Sequence, residues 1–170
     1  MHVLFALLAA ASMSDPQIAT VALTAHQIDV DRGKLALKHT KNDEVKQFAD
    51  QMVHDHQAGI TEAMNLAKRL GVKPTDSDTS KSLKADAAKV TKRLKKEKGA
   101  AFDKDYIDTE VAYHEALIKA VRDVLVPGAQ NADLKTLLQT AIPTLEGHLQ
   151  HARMVQQQLG KTALHDSAAR

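Results

Sequence analysis

The chain has 170 residues, enough for one domain with a packed core and little more. Its charge is nearly balanced, 23 basic against 21 acidic residues for a net +2, which gives no footing for nucleic-acid binding. Cysteine is absent, so disulfide and thiolate chemistry are excluded and any metal must be held by His, Asp or Glu.

Hydrophobic residues make up 44% of the chain, yet only three Phe, two Tyr and no Trp contribute. The core must be built from Leu, Ile, Val, Ala and Met, which suits close-packed helices. Seven Gly and four Pro leave few turns, so the elements should be long. No period-two, β-branched run stands out.

Residues 1–13 read as a signal-peptide-like segment. Val3 to Ala11 is an apolar core, Ala9-Ala10-Ala11 fits a small-residue cleavage site, and the run is too short to span a bilayer. It lacks the usual Lys or Arg ahead of the core. The expectation is an exported, periplasmic protein that loses its first residues. No other segment could span a membrane.

Residues 14–160 carry four long apolar stripes. Helix 1 is predicted from Asp15 to Thr40, with Asp15 as N-cap and Pro16 at the first helical position. Its stripe is Ile18, Ala22, Ala25, Asp29, Arg32 and Ala36. Helix 2 is predicted from Asp43 to Leu70 after an Asn42 cap, with His56 in its stripe between Met52 and Gly59. Gly71 ends it and Pro74 prevents it resuming. Residues 74–80 read as a polar linker. Lys81 to Lys98 then reads as a short accessory helix lying across the others. Its eight basic residues stand against Asp86 and Glu97, a solvated face first, and a surface for peripheral contact with acidic lipid or polyanions second.

Helix 3 is predicted to start at Asp103 as N-cap, with Phe102 and Ile107 as a hydrophobic staple. Its stripe holds Glu110, Val111, His114, Leu117 and Val121, and Pro127-Gly128 ends it. Helix 4 runs from about Asn131 to Leu159, with His148 between Leu145 and Ala152 and with Pro143 inside, where a kink is expected. Residues 161–170 read as a flexible tail. The fold class that follows is all-α, an antiparallel four-helix bundle with an accessory helix between helices 2 and 3.

Each long helix therefore places one metal-competent side chain in its apolar stripe: Asp29, His56, His114 and His148. Asp29 and His56 are roughly equidistant from the first hairpin turn, and His114 and His148 from the second. At about 1.5 Å rise per residue, all four reach a similar level. A buried carboxylate is costly unless paired or coordinated, and three neutral imidazoles with one carboxylate suit zinc or copper better than iron or manganese. His26, Asp55, Glu110 and His151 lie within a turn of these residues, as further ligands or as partners that orient an imidazole. A single histidine on an apolar stripe is most often only hydrogen-bonded in the core. The competing explanation is a buried Asp–His network that fixes helix register without metal.

The chain resembles a family of exported bacterial proteins with a ferritin-like four-helix fold, catalogued as a domain of unknown function and often labelled outer-membrane or membrane proteins. The resemblance rests on Asp29-Val30-Asp31-Arg32-Gly33, on Phe48-Ala49-x-x-Met52-Val53-His54-Asp55-His56, on Phe102-Asp103-x-x-Tyr106 followed by His114, and on Pro143-x-Leu145-x-x-His148-Leu149. It runs from about Asp15 to Leu159. It implies fold and export, and no established activity. The family usually has Glu where this chain has Asp29. Wider ferritin-like relatives use Glu-x-x-His for di-iron chemistry. Here no Glu is followed three residues later by His, so neither a ferroxidase nor a storage cage is expected.

Three functions remain on the sequence. The first is an exported transition-metal-binding protein in metal buffering or envelope stress tolerance. The second is a structural or interaction protein of the cell envelope, and the third a metal-dependent oxidoreductase. A non-enzymatic role is favoured, because the third needs an open coordination position and a substrate path that the sequence does not display.

Overall fold

The computed structural model describes residues 13–168, with side chains described through residue 161. The apolar core of the signal-peptide-like segment lies outside the described residues. The chain is all-helical, and the described residues form no strand. Among the described residues six helices follow in order: α1 (Asp15–His39), α2 (Asp43–Arg69), α3 (Asp78–Leu94), α4 (Gly99–Ala120), a short α5 (Val126–Gly128) and α6 (Ala132–Ala168), with a π-helical stretch at Val121–Leu125 ahead of α5.

The caps show where local chemistry sets the ends. Asn42 Oδ1 accepts from the Val45 N–H at 3.1 Å, satisfying an orphan donor at the start of α2. Gly71 follows the end of α2 with φ 65°, a left-handed conformation that glycine adopts without a Cβ penalty. Asn131 Oδ1 accepts from the N–H groups of Asp133 and Leu134 at 2.9 and 3.1 Å and so caps α6.

Several predicted ends are corrected. The cap of α1 is Ser14, whose backbone N–H donates to Gln17 Oε1 at 3.0 Å. Asp15 is drawn elsewhere: its carboxylate accepts from the N–H groups of Gln130 and Asn131 at 2.8 and 2.9 Å, tying the start of α1 to the turn before α6. The accessory helix begins at Asp78, inside the predicted linker, because Ser77 and Ser80 form a reciprocal capping box. Asp103 caps nothing. It is buried within α4, which starts at Gly99, and Phe102 and Ile107 are core residues rather than a staple. The backbone of α6 continues past Leu159 to Ala168, through residues expected as a tail. Gly160 is followed by helix-compatible Lys161, Thr162 and Ala163 rather than by a proline stop.

α1 and α2 pack along their length as a hairpin, α4 packs with α6, and α3 lies beside α1. Arg93 fastens the far end of α3 to α4, donating to both Asp105 carboxylate oxygens at 2.8 and 2.9 Å and to Thr109 Oγ1 at 2.7 Å. Such a bidentate fork fixes geometry as well as charge. A groove of about 970 Å³ runs between α1, α2 and α3, with Ile28 and Ile60 inside and lysines at its rim. No helix among the described residues is long and apolar enough to cross a membrane.

The core is divided. One apolar cluster gathers Ile18, Val21, Ala25 and Ile28 with Leu117, Val121, Leu138 and Leu145. The other gathers Leu35, Val45, Phe48 and Met52 with Phe102, Tyr106, Ala152 and Val155. On α1 the residues between the two clusters include Asp29 and Arg32; on α2 they include His56, on α4 Glu110, and on α6 His148. All five are buried, as is His114 one turn along α4 from Glu110. The interior is thus two apolar plugs with a polar layer between them.

Close approach of α1 and α2 next to this layer depends on Gly33. A Cβ there would sit 2.8 Å from Val53 Cγ2 and 2.9 Å from the Ala49 carbonyl oxygen. The backbone oxygen cannot rotate away, so the helices would have to separate. Gly33→Ala gains up to about 1 kcal/mol of helix propensity and loses about 1–3 kcal/mol to overpacking. The net expectation is a lower thermal midpoint, read by circular dichroism; a midpoint at or above wild type would show that the α1–α2 contact yields freely.

Candidate metal centre

The layer brings together all four residues singled out on the apolar stripes. His56 Nε2 lies 3.4 Å from Asp29 Oδ2. The His56, His114 and His148 rings are mutual neighbours, with centroids 5.0 to 5.8 Å apart. One nitrogen from each of these three rings falls within 4.8 Å of the others, and Asp29, Glu110 and His114 form a second such group sharing His114.

Each ring is held by its outer nitrogen. His114 Nδ1–H donates to the Glu110 carbonyl at 2.9 Å. His148 Nε2–H donates to Asp55 Oδ2 at 2.9 Å. His56 Nδ1 meets His26 Nδ1 at 2.9 Å, so one of these two rings donates and the other accepts. When His56 donates, all three rings turn a bare lone pair inward. Those inward atoms, His56 Nε2, His114 Nε2 and His148 Nδ1, are buried without a hydrogen-bond partner, as are both oxygens of Asp29. Orphaned buried polar atoms are expensive. A cation satisfies lone pairs and carboxylate oxygens together, so the donor set fits a metal ion.

The flanking residues divide. His26, Asp55 and Glu110 touch the histidines as the sequence suggested. His151 does not: its Nδ1 bonds Gln51 Oε1 at 2.8 Å and its ring stands edge-on to Phe48. It is linked to the layer through Gln51, whose amide donates to Asp55 Oδ2 at 3.3 Å, and it helps to lower His148 electrostatically.

Sequence reasoning assigned no role to Arg32. Its Nη1 lies 4.0 Å from Glu110 Oε1 and its guanidinium sits over the Tyr113 ring, 4.6 Å from the centroid. Its place in the helix 1 stripe, one turn after Asp29, was the available signal. Arg32 partly balances Glu110 and also favours the ionised form of Asp29.

Burial sets the protonation states. Desolvation lowers His56 to about 2, with His26, His114 and His148 adding to the effect. It lowers His114 to about 3 against the opposing hydrogen bond to the Glu110 carbonyl, and His26 to about 4 with help from His148. His148 is lowered too, again by burial, although Asp55 opposes this. The rings are therefore neutral near neutral pH, the form that ligates metal. Burial raises Asp29 well above the ordinary carboxylate range, reinforced by Glu110 and opposed by Arg32. Burial raises Glu110 as well, against Arg32.

These shifts give an acid-sensitivity prediction for the metal-free protein. Each histidine has a folded value below its unfolded value, so the unfolded chain takes up protons first. That stability is present above pH ~6.5 and is lost, by about 1.4 kcal/mol per pH unit for each ring, as pH falls toward the folded values. Asp29 and Glu110 have the opposite sign, gaining stability on acidification. Four lowered histidines outnumber two raised carboxylates, so net stability should fall between pH 6.5 and 4. Denaturant titrations at pH 7, 6 and 5 measure it, and a flat profile would mean that the rings are already hydrated in the folded state.

Comparison with known proteins supplies family and fold but no activity. No curated protein matches the chain. A DUF305 protein of Streptomyces coelicolor, described as secreted, aligns with a TM-score of 0.68 at 13% identity, covering 84% of this chain and 91% of that one. At that identity the likeness shows the fold alone. Residues 6–155 match the family described as Domain of unknown function (DUF4142), and with most of its length inside that match the chain belongs to this family.

Proposed function

We propose that this protein is an exported ferritin-like four-helix-bundle protein whose polar layer holds one transition-metal ion through His56, His114, His148 and Asp29. One observation carries the reading: three neutral, buried imidazoles turn unpartnered nitrogens toward one another while the opposite nitrogen of each is anchored. Anchoring the outer nitrogen is how proteins fix the tautomer and direction of a metal-bound histidine. The N3O donor set suits zinc or copper. Metal buffering or envelope stress tolerance is the role this supports. Export rests on the apolar run at Val3 to Ala11 and on the secreted description of the Streptomyces coelicolor protein.

The charge arrangement supports the same reading. Glu110 faces Arg32 at 4.0 Å and Asp29 lies against His56, and all four carboxylate oxygens are buried without a hydrogen-bond partner. A divalent ion would favour ionised Asp29 and offset the desolvation of that carboxylate.

Calorimetric titration of metal-free, untagged protein with Zn²⁺, Cu²⁺, Ni²⁺ and Mn²⁺ tests the proposal. The expected outcome is one ion per chain, tightest for Zn²⁺ or Cu²⁺, with a raised melting temperature because the ion binds only the folded state. His148→Ala should abolish both effects and Asp29→Ala should weaken them. His39→Ala should change neither, since that ring is exposed and stacks on Phe102. If His148→Ala destabilises the protein while no metal stabilises the wild type, the layer is a register-fixing network instead.

A further inference from the structure

The layer is not sealed. A cleft of about 400 Å³ between α1, α2 and α6 ends on His26, His56, Asp55 and His148. Its walls include small residues, among them Ala22, Ala58, Gly59, Ala63 and Ala141. Its charge has one sign: Asp55 and Glu62 line it, and no lysine or arginine does. The groove between α1, α2 and α3 is mainly basic, bordered by Lys84, Lys92, Lys95 and Lys96 beside Asp31. A cleft with carboxylates at low-dielectric walls concentrates cations and raises their rate of entry. At its inner end His56 and His148 each bury a ring nitrogen without a partner.

His26 stands between the cleft and the layer. It is only partly buried, and its Nδ1 lies 2.9 Å from His56 Nδ1. Gly59 creates the room for it: a Cβ at that position would be 2.5 Å from His26 Cε1 and 2.9 Å from both ring nitrogens. The ring is thus laid directly on the backbone of α2, next to the innermost histidines. An imidazole there offers a cation a ligand before the buried ones are reached.

We propose that this acidic cleft is the entry route for the metal ion and that His26 is a transfer ligand, taking the ion from Asp55 and Glu62 and releasing it to His56, His114 and His148. The inference rests on the metal-centre reading above and deepens it. No oxidation state changes; the ion exchanges water for imidazole and carboxylate donors, and any proton on Asp29 passes from its carboxyl oxygen to solvent water.

Stopped-flow absorbance of Co²⁺ uptake by the full chain tests the route, with an equilibrium Co²⁺ titration alongside. The wild type should take up one ion at a rate that falls with ionic strength. His26→Ala should keep the stoichiometry and load roughly tenfold more slowly. Glu62→Gln, an exposed position at the rim, should slow loading and flatten the salt dependence, and it carries the test if His26→Ala does not fold. Glu115→Gln, outside the cleft, should load like wild type. Loading of both His26→Ala and Glu62→Gln at the wild-type rate overturns the route and leaves the centre intact. Complete loss of binding in folded His26→Ala makes His26 a permanent ligand and overturns the transfer role. A wild type that takes up no Co²⁺, Zn²⁺ or Cu²⁺ at equilibrium overturns the centre itself and the route with it.

Discussion

The structure depends on one constraint: six ionisable side chains, Asp29, Arg32, His56, Glu110, His114 and His148, share a buried layer in a core that is otherwise mostly apolar. Moving a charge into such a place costs several kcal/mol even after relaxation, and an unpaired polar atom costs about 1–3 kcal/mol. The apolar clusters on either side must supply that deficit. They also seal most of the layer, and this raises the cost of every unpaired atom inside it. The layer therefore has a preferred helix register. A slip of one residue in any helix would carry a histidine or carboxylate into an aliphatic cluster and break several contacts together.

The way the rings are held separates this layer from an ordinary buried network. A network formed only to satisfy its own members would pair inner atoms with one another. Here the satisfied atoms are the outer ones: His114 Nδ1 on a backbone carbonyl, His148 Nε2 on Asp55, His56 Nδ1 on His26. The unsatisfied atoms face inward. The supports come from rigid positions, a helix carbonyl one turn back on α4 and side chains on the facing helices α2 and α1. Asp55 is itself braced by Gln51, and Gln51 also accepts from His151. The outer shell is a connected chain of hydrogen bonds, and the inner shell is a set of convergent donors.

Much of this was legible in the sequence because a helix of period 3.6 has few ways to hide a polar residue in an apolar stripe. Asp29, His56, His114 and His148 stand out at once, and hairpin turns of known position bring them to one level. The helix ends were less legible. Asp15 has the composition of a cap, yet its carboxylate is used by the turn at Gln130 and Asn131, a partner 115 residues away along the chain that local pattern cannot reveal. Asp103 failed as a cap for a related reason: Gly99, with φ 57°, lets α4 begin earlier, and Asp103 is carried into the interior. The role of Arg32 was hidden because a long cationic side chain, even one in an apolar stripe, usually snorkels to water. Only the packed structure shows it kept inside by Glu110 and Tyr113. The cleft and the seat of His26 on Gly59 were beyond reach as well, since a void is a property of three helices at once.

The distribution of charge links the two halves of the functional reading. Within the layer Arg32 lies opposite Glu110, and Asp29 lies against neutral rings with its carboxyl pushed toward the protonated form. In the metal-free state the layer has few hydrogen bonds across it and is poorly satisfied. Outside, the charged side chains that line the cleft among the described residues are acidic, so on the proposed route a cation would meet a falling potential on the way in and neutral imidazoles at the end. On the proposed reading, neutral donors would hold a divalent ion without a large excess of buried negative charge before it arrives, and Asp29 would adjust the balance when it does. A cage of several carboxylates would bind a cation more strongly in principle, but four helices would have to bury that repulsion whenever the cage was empty. Three anchored histidines, with Asp29 and an Arg32-faced Glu110, bury less of that repulsion, and on the proposed reading the unpaired atoms of the layer would be arranged to take one ion.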